Sequence, residues 1–136
     1  MEERKAQIPV DKALRIPCSL STDFFEKWFQ ILKPVHHLSN AELKLLAEFC
    51  RVRYEYSKKI SDPDTLDKFL FSAETKNMIR ENLNMPSSSF QVSMSKLKKA
   101  NMIVNGKIDQ RLLPKLQAEN TTGYKLLLYF DLHEKL

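Results

Sequence analysis

The sequence predicts a mainly α domain with a small β-hairpin wing, a winged helix-turn-helix-like fold behind an extended N-terminal arm. Three observations predict it. From Ser21 onward, apolar residues recur at three- and four-residue steps, the pattern of helices that bury one face. Asn84-Met85-Pro86 separates two such stretches by a tight turn. Asn105-Gly106 stands between Met102-Ile103-Val104 and Lys107-Ile108, a strong hairpin signal because both central residues of the favoured two-residue turn need positive φ. Helix, turn, helix and hairpin in this order, over residues 72–109, form a module whose second helix commonly lies against nucleic acid. The same module also serves as a docking block in larger assemblies.

Composition bounds the function. A chain of 136 residues, 43% hydrophobic and 29% charged, suits one soluble domain with a single core and not a disordered segment. Its 2 glycines leave no dinucleotide or P-loop phosphate cradle, so a nucleotide-hydrolysing enzyme is not expected. Lys and Arg exceed Asp and Glu by 22 to 17, a charge of +5 that fits an anionic partner and equally a solubilising surface. Cys18 and Cys50 lie far apart without metal-ligand spacing, which predicts free thiols in a reducing compartment. The first residues lack the apolar core of a signal peptide, and no window reaches about 18 apolar residues. The expectation is a protein kept in the cytoplasm or packaged from it, with no membrane partner.

Residues 1–20 mix charged and small apolar residues around Pro9 and Pro17 and read as an arm; residues 21–136 form the domain. Ser21 or Thr22 is expected to cap a first helix whose face is Phe25, Trp28, Phe29 and Leu32, and Pro34 to end it. Trp28, among phenylalanines, reads as a core anchor. Ser39-Asn40-Ala41-Glu42 has the capping-box form and opens the longest helix, to about Ile60. That helix carries two apolar stripes: Leu43, Leu46, Ala47, Cys50 and Tyr54, then Leu45, Phe49, Val52 and Tyr56. Two stripes predict two packing partners and a central position. Asp62 and Asp64 flank Pro63 as turn formers, and a short helix follows that Ser72 ends or restarts.

The first helix of the motif is expected over 73–83, with Met78, Ile79 and Leu83 inward. Ser87, Ser88 and Ser89 are candidate N-caps of the second, which turns Phe90, Met94 and Leu97 to the core. Its opposite face carries Ser88, Gln91, Ser95 and Lys98, with Lys96 and Lys99 beside it. Small hydroxyls, an amide and lysines approach phosphates and base edges without bulk, although an ordinary solvated face has the same composition. Lys107 at the wing tip and Arg111 extend this nucleic-acid-binding candidate, and Lys76, Arg80 and Lys115 add charge, against Glu81 and Asp109 nearby. No arginine lies between Ser88 and Lys107, which removes the commonest bidentate guanine contact from the helix. The run Tyr124-Lys125-Leu126-Leu127-Leu128-Tyr129-Phe130 reads as a buried strand that pairs with the wing or with a partner.

Catalysis needs a nucleophile with a base, paired carboxylates or a metal cluster. His36-His37 with a distant His133 fits metal-ligand spacing poorly, so no enzyme, metal or cofactor is expected.

The order RIPCSL, a Phe/Trp helix, LSNAELKLLAEF, ISDPDTLDKFLFS, ETKNMIRENLNM, FQVSMSKLKKANMIVNGKID and KLLLYFD resembles a conserved small protein of crAss-like phages infecting Bacteroides. The resemblance covers the chain from about Arg15 onward and implies a phage origin. Small proteins of such phages include virion neck, connector and ring components as well as DNA-binding regulators, and no site residue is carried over from them. The leading expectation is a non-enzymatic virion structural protein that binds neighbouring subunits through its terminal arm and strand, as a homo-oligomer in a ring, in particles assembled in the host cytoplasm. The alternative is a winged-helix regulator of double-stranded DNA.

Overall fold

The computed structural model describes residues 12–116 and 122–134, and its elements hang on one long helix. Helices α1 (Phe24–Ile31), α2 (Lys33–His36), α3 (Asn40–Ser57), α4 (Pro63–Leu70), α5 (Ala73–Asn82) and α6 (Ser87–Lys99) precede strands β1 (Ile103–Val104) and β2 (Lys107–Ile108) and a 3-10 turn at Gln110–Leu112. The domain is therefore mainly helical with a small antiparallel sheet.

Helix α3 is central, as its two stripes predict. Leu43, Leu45, Leu46, Phe49, Cys50 and Val52 are all buried, with α1 on one side and α4, α5 and α6 on the other. Its capping box is complete: Ser39 Oγ accepts from the Glu42 N–H, and Glu42 returns a carboxylate oxygen to the Ser39 N–H at 3.1 Å. The helix ends at Ser57, slightly before the expected Ile60.

Around α1 the structure corrects two expectations. Asp23, not Ser21 or Thr22, holds the N-cap position. The chain before it curls so that the Ser19 carbonyl accepts from the N–H groups of Thr22, Asp23 and Phe24, while Asp23 Oδ1 accepts from the Ser19 N–H at 2.8 Å. Pro34 does not end a helix but sits in the first turn of α2, where its missing N–H costs nothing. His36 closes that corner. Its Nδ1 accepts from the Leu38 N–H at 3.0 Å, which leaves the proton on Nε2 to donate to the Phe29 carbonyl at 2.6 Å.

Of the arm, residues 1–11 lie outside the described residues; residues 12–19 are exposed and without regular structure. Attachment begins at Pro17, whose carbonyl accepts from Lys27 Nζ at 2.8 Å, and Leu20 packs against the core. Cys18 is exposed and Cys50 buried, both free, and burial pushes the Cys50 thiol pKa well up.

Asp62 caps α4, accepting from the Thr65 N–H at 3.0 Å and the Thr65 hydroxyl at 2.6 Å, and Ser72 restarts the chain as the N-cap of α5. The strand expected over 124–130 does not form. That segment is exposed and has no regular structure, and it joins neither edge of the two-stranded sheet, the only sheet among the described residues.

The turn and the α4 cap can each be tested. The Asn105-Gly106 turn has φ of 54° and 70°, and a Cβ at Gly106 would meet nothing within 4 Å. Gly106→Val therefore acts through backbone strain alone and should cost about 1 kcal/mol or more in a urea titration; an unchanged midpoint would contradict the turn. The hydrogen bonds from Thr65 hold the Asp62 carboxyl below its ordinary pKa. Its contribution is therefore present above about pH 4 and lost as pH falls through the lower folded value. Thermal midpoints measured from pH 5 down to 2 should fall less steeply for Asp62→Asn, which keeps a good cap without a titrating group.

Candidate functional site

Helices α5 and α6 and the hairpin are joined by one device used twice. After α5, Asn84 takes φ 54°, its N–H donates to the Glu81 carbonyl at 3.0 Å, and the Met85 N–H donates to the Arg80 carbonyl at 3.0 Å. After α6, Asn101 takes φ 61°, with the Asn101 N–H on Lys98 and the Met102 N–H on Leu97. Both are Schellman endings with asparagine at the left-handed position, and buried Met102 and Leu97 supply the accompanying apolar contact at the second. The turn into the hairpin is thereby rigid, and the Asp109 N–H bonds the Met102 carbonyl at 2.8 Å just beyond the paired strands.

The expected inward face of α6 is inward: Phe90, Met94 and Leu97 are buried, with Ser93. Ile79 of α5 is fully buried, but Met78 is 37% exposed and does not join the core. The serines do not cap α6. Pro86 holds the N-cap, without a side-chain acceptor, and Ser87, Ser88 and Ser89 fall in the exposed first turn.

Ser88, Gln91, Ser95, Lys96, Lys98, Lys99, Lys107 and Arg111 are all exposed, and the first six share α6. Three of the five cations are engaged. Lys96 Nζ lies 3.7 Å from Glu42, Lys107 Nζ 3.4 Å from Asp64, and Arg111 2.6 Å from Asp109, whose carboxyl is held below its ordinary pKa first by that hydrogen bond. Exposed pairs such as Lys107 with Asp64 contribute only about 0–1 kcal/mol, so a phosphate would displace them readily; they still lower the local positive field. Among the described residues Lys98 and Lys99 have no ion pair. Val92, 54% exposed, puts an apolar side chain amid this polar face.

A groove of about 500 Å³ lies beside this face, bounded by Phe71, Lys76 of α5, Met94 and Lys98 of α6, Asn101 and the β1 side of the hairpin. Sequence reasoning missed it, because it forms where three elements meet and none of its residues signals it by spacing. A smaller hollow of about 180 Å³ includes Lys76, Arg80, Ser87 and Gln91. Arg80 is tied into the turn, donating to the Met85 carbonyl at 3.1 Å.

The segment from residue 122 is fastened at Tyr124. Tyr124 stands edge-on to Trp28 at 5.3 Å and to Phe24 at 6.5 Å, and its hydroxyl accepts from the Lys115 N–H at 3.1 Å. Trp28 is an anchor in a fuller sense than expected: 8% exposed, it donates Nε1–H to the Leu112 carbonyl at 2.7 Å. Beyond Tyr124, Leu127, Leu128, Tyr129, Phe130 and Leu132 are each at least 50% exposed.

Among the described residues no cluster of three His, Cys, Asp or Glu is placed to hold a metal. His133 pairs with Asp131 at 3.4 Å and lies on the exposed segment, apart from the His36 corner. No described helix is long and apolar enough to cross a membrane. Comparisons with protein-family models, curated proteins and solved structures give no match to this chain.

Proposed function

We propose that the chain is a non-enzymatic bacteriophage virion protein, a neck, connector or ring component, whose winged-helix-like domain binds neighbouring subunits through its terminal segments. The observation that carries this reading is the segment 126–132. It is rooted by Tyr124 on Phe24 and Trp28, then runs without regular structure, with five large apolar side chains at least half exposed. Contiguous apolar surface of this kind is a hallmark of an interaction site, and a segment that pairs with no strand of its own chain is free for strand addition to a partner. The resemblance to crAss-like phage proteins supplies the virion context.

A second reading, a double-stranded DNA-binding regulator, is favoured by one observation: the exposed Ser88, Gln91, Ser95 and Lys98 face, with Lys98 and Lys99 unpaired among the described residues. It ranks second, because Lys96, Lys107 and Arg111 already face carboxylates and the helix offers no arginine.

Mass spectrometry of nuclease-treated, gradient-purified particles of a phage encoding this chain should find it in fixed stoichiometry with the other virion proteins. Deleting residues 1–10, too polar to form a core, should leave thermal stability unchanged and reduce incorporation. Normal incorporation of the truncated chain, or absence of the full chain from particles, moves the weight to DNA binding. For that second reading, a gel-shift series at low salt decides. Lys98→Ala and Lys99→Ala should each weaken binding to all sequences and reduce the salt slope by about one, whereas Gln91→Ala should relax sequence choice. Absence of any shift with the unsubstituted protein sinks it.

A further inference from the structure

We infer that the backbone of duplex DNA lies along the seam between α5 and α6, where Lys76, Arg80 and Lys98 hold its phosphates. The inference rests on the DNA-binding reading above and moves the contact from the outward face of α6 to a line shared by two helices.

Both helices keep carboxylates off this seam. In α5, Ala73, Lys76, Asn77 and Arg80 recur at three- and four-residue steps and share one face, while Glu74 and Glu81, seven residues apart, fall on another. In α6, Ser87, Gln91, Met94 and Lys98 share a face, and the helix contains no acidic residue. The two faces meet. Lys76, Asn77 and Arg80 border the smaller hollow together with Ser87 and Gln91, and Lys76 borders the larger groove together with Lys98. The hollows therefore adjoin at Lys76, and neither is lined by a carboxylate.

The three cations are also unspent. Among the described residues Lys76, Arg80 and Lys98 make no ion pair, in contrast to Lys96, Lys107 and Arg111. Arg80 is held in place as well: its bond to the Met85 carbonyl at 3.1 Å fixes the guanidinium and leaves its other N–H donors open. Lys76 and Arg80 are half-buried, so their stems are already packed and lose less freedom on binding.

Length and lining choose the occupant. From Ser87 to Lys98 the seam follows roughly 16 Å of helix, while one strand of a duplex presents a phosphate about every 3.4 Å of its axis. Several phosphates fall within reach. Asn77, Gln91, Asn101 and Asn105 stand among the cations, and their amides donate to phosphate oxygens. The apolar floor is already closed, since Phe90, Met94 and Ile103 are buried and Phe71 stacks on Phe49 at 5.1 Å. No exposed ring is left to stack on an unpaired base, so the lining suits a duplex backbone and not a single strand.

The test is fluorescence anisotropy of a labelled mixed-sequence duplex titrated with the full chain at several salt concentrations. Lys76→Ala should weaken binding about tenfold at about 0.1 M salt and reduce the salt slope by about one, because one phosphate contact is lost. Arg80→Ala should do the same. Since Arg80→Ala also removes the Met85 bond, its thermal midpoint is measured alongside; the Lys76 side chain makes no hydrogen bond among the described residues, so Lys76→Ala reads binding without that complication. Lys59 is exposed, makes no ion pair among the described residues and borders neither hollow, so Lys59→Ala should bind like the unsubstituted chain. An unlabelled single strand of the same sequence should compete at least tenfold more weakly than the duplex. The inference is overturned if Lys76→Ala binds as the unsubstituted chain does, if Lys59→Ala loses as much as Lys76→Ala, or if the single strand competes as well as the duplex. In the first case, with Lys98→Ala and Lys99→Ala still weakened, DNA binding stands and the seam alone falls; no binding by the unsubstituted chain removes both.

Discussion

Burial of α3 on two sides is the constraint on which the rest of the structure depends. Leu45, Leu46 and Phe49 have no exposed surface, so any helix that covers one of the two stripes is placed by it. The polar positions of α3 then set the register of each neighbour. Arg53 binds Asp67 of α4 at 3.2 Å, Glu48 accepts from Asn82 at the end of α5 at 3.1 Å, and the Tyr56 hydroxyl meets Thr75 near its start at 2.8 Å. Glu42, already committed to its own capping box, faces Lys96 of α6. Apolar contact brings the helices together without direction, and these bonds choose among the ways they could slide.

Features whose cause is local were legible in the sequence. The capping box at Ser39, the turn-forming role of Asp62, the restart at Ser72 and the Asn105-Gly106 turn each depend on a few adjacent residues, and all four are present in the fold. The stripes of α3 were legible for a related reason, since a helix repeats its local geometry. Expectations failed where distant residues decide. Pro34 is compatible with either end of a helix, and the α1–α3 corner stapled by His36 selects the beginning. The run 124–130 has strand composition, but a strand needs an edge to join, and within one chain it joins none. The serines before Phe90 are good caps by type; the left-handed Asn84 and the Schellman bonds after α5 bring the chain into α6 one residue too early for them.

The candidate site divides along the same line. The exposed face of α6 follows from helical spacing, so its composition is legible from the order of residues alone. Its electrostatics are not, because Lys96 and Lys107 meet their acids across 54 and 43 residues of chain. The groove is another product of distance: Phe71, Met94 and Ile103 come from three parts of the chain, and each alone looks like an ordinary apolar residue.

Trp28 has a further consequence. It is the one tryptophan of the chain, and it touches three separately encoded parts: α1, the carbonyl of Leu112 after the hairpin, and Tyr124 at the root of the exposed segment. An indole emits according to its immediate surroundings, so the protein carries an intrinsic optical gauge at the junction between its folded body and its exposed segment. Detachment of Tyr124 alone would change that emission while the helices stay intact. The anchoring of the segment can therefore be followed in the unlabelled chain, separately from unfolding of the core.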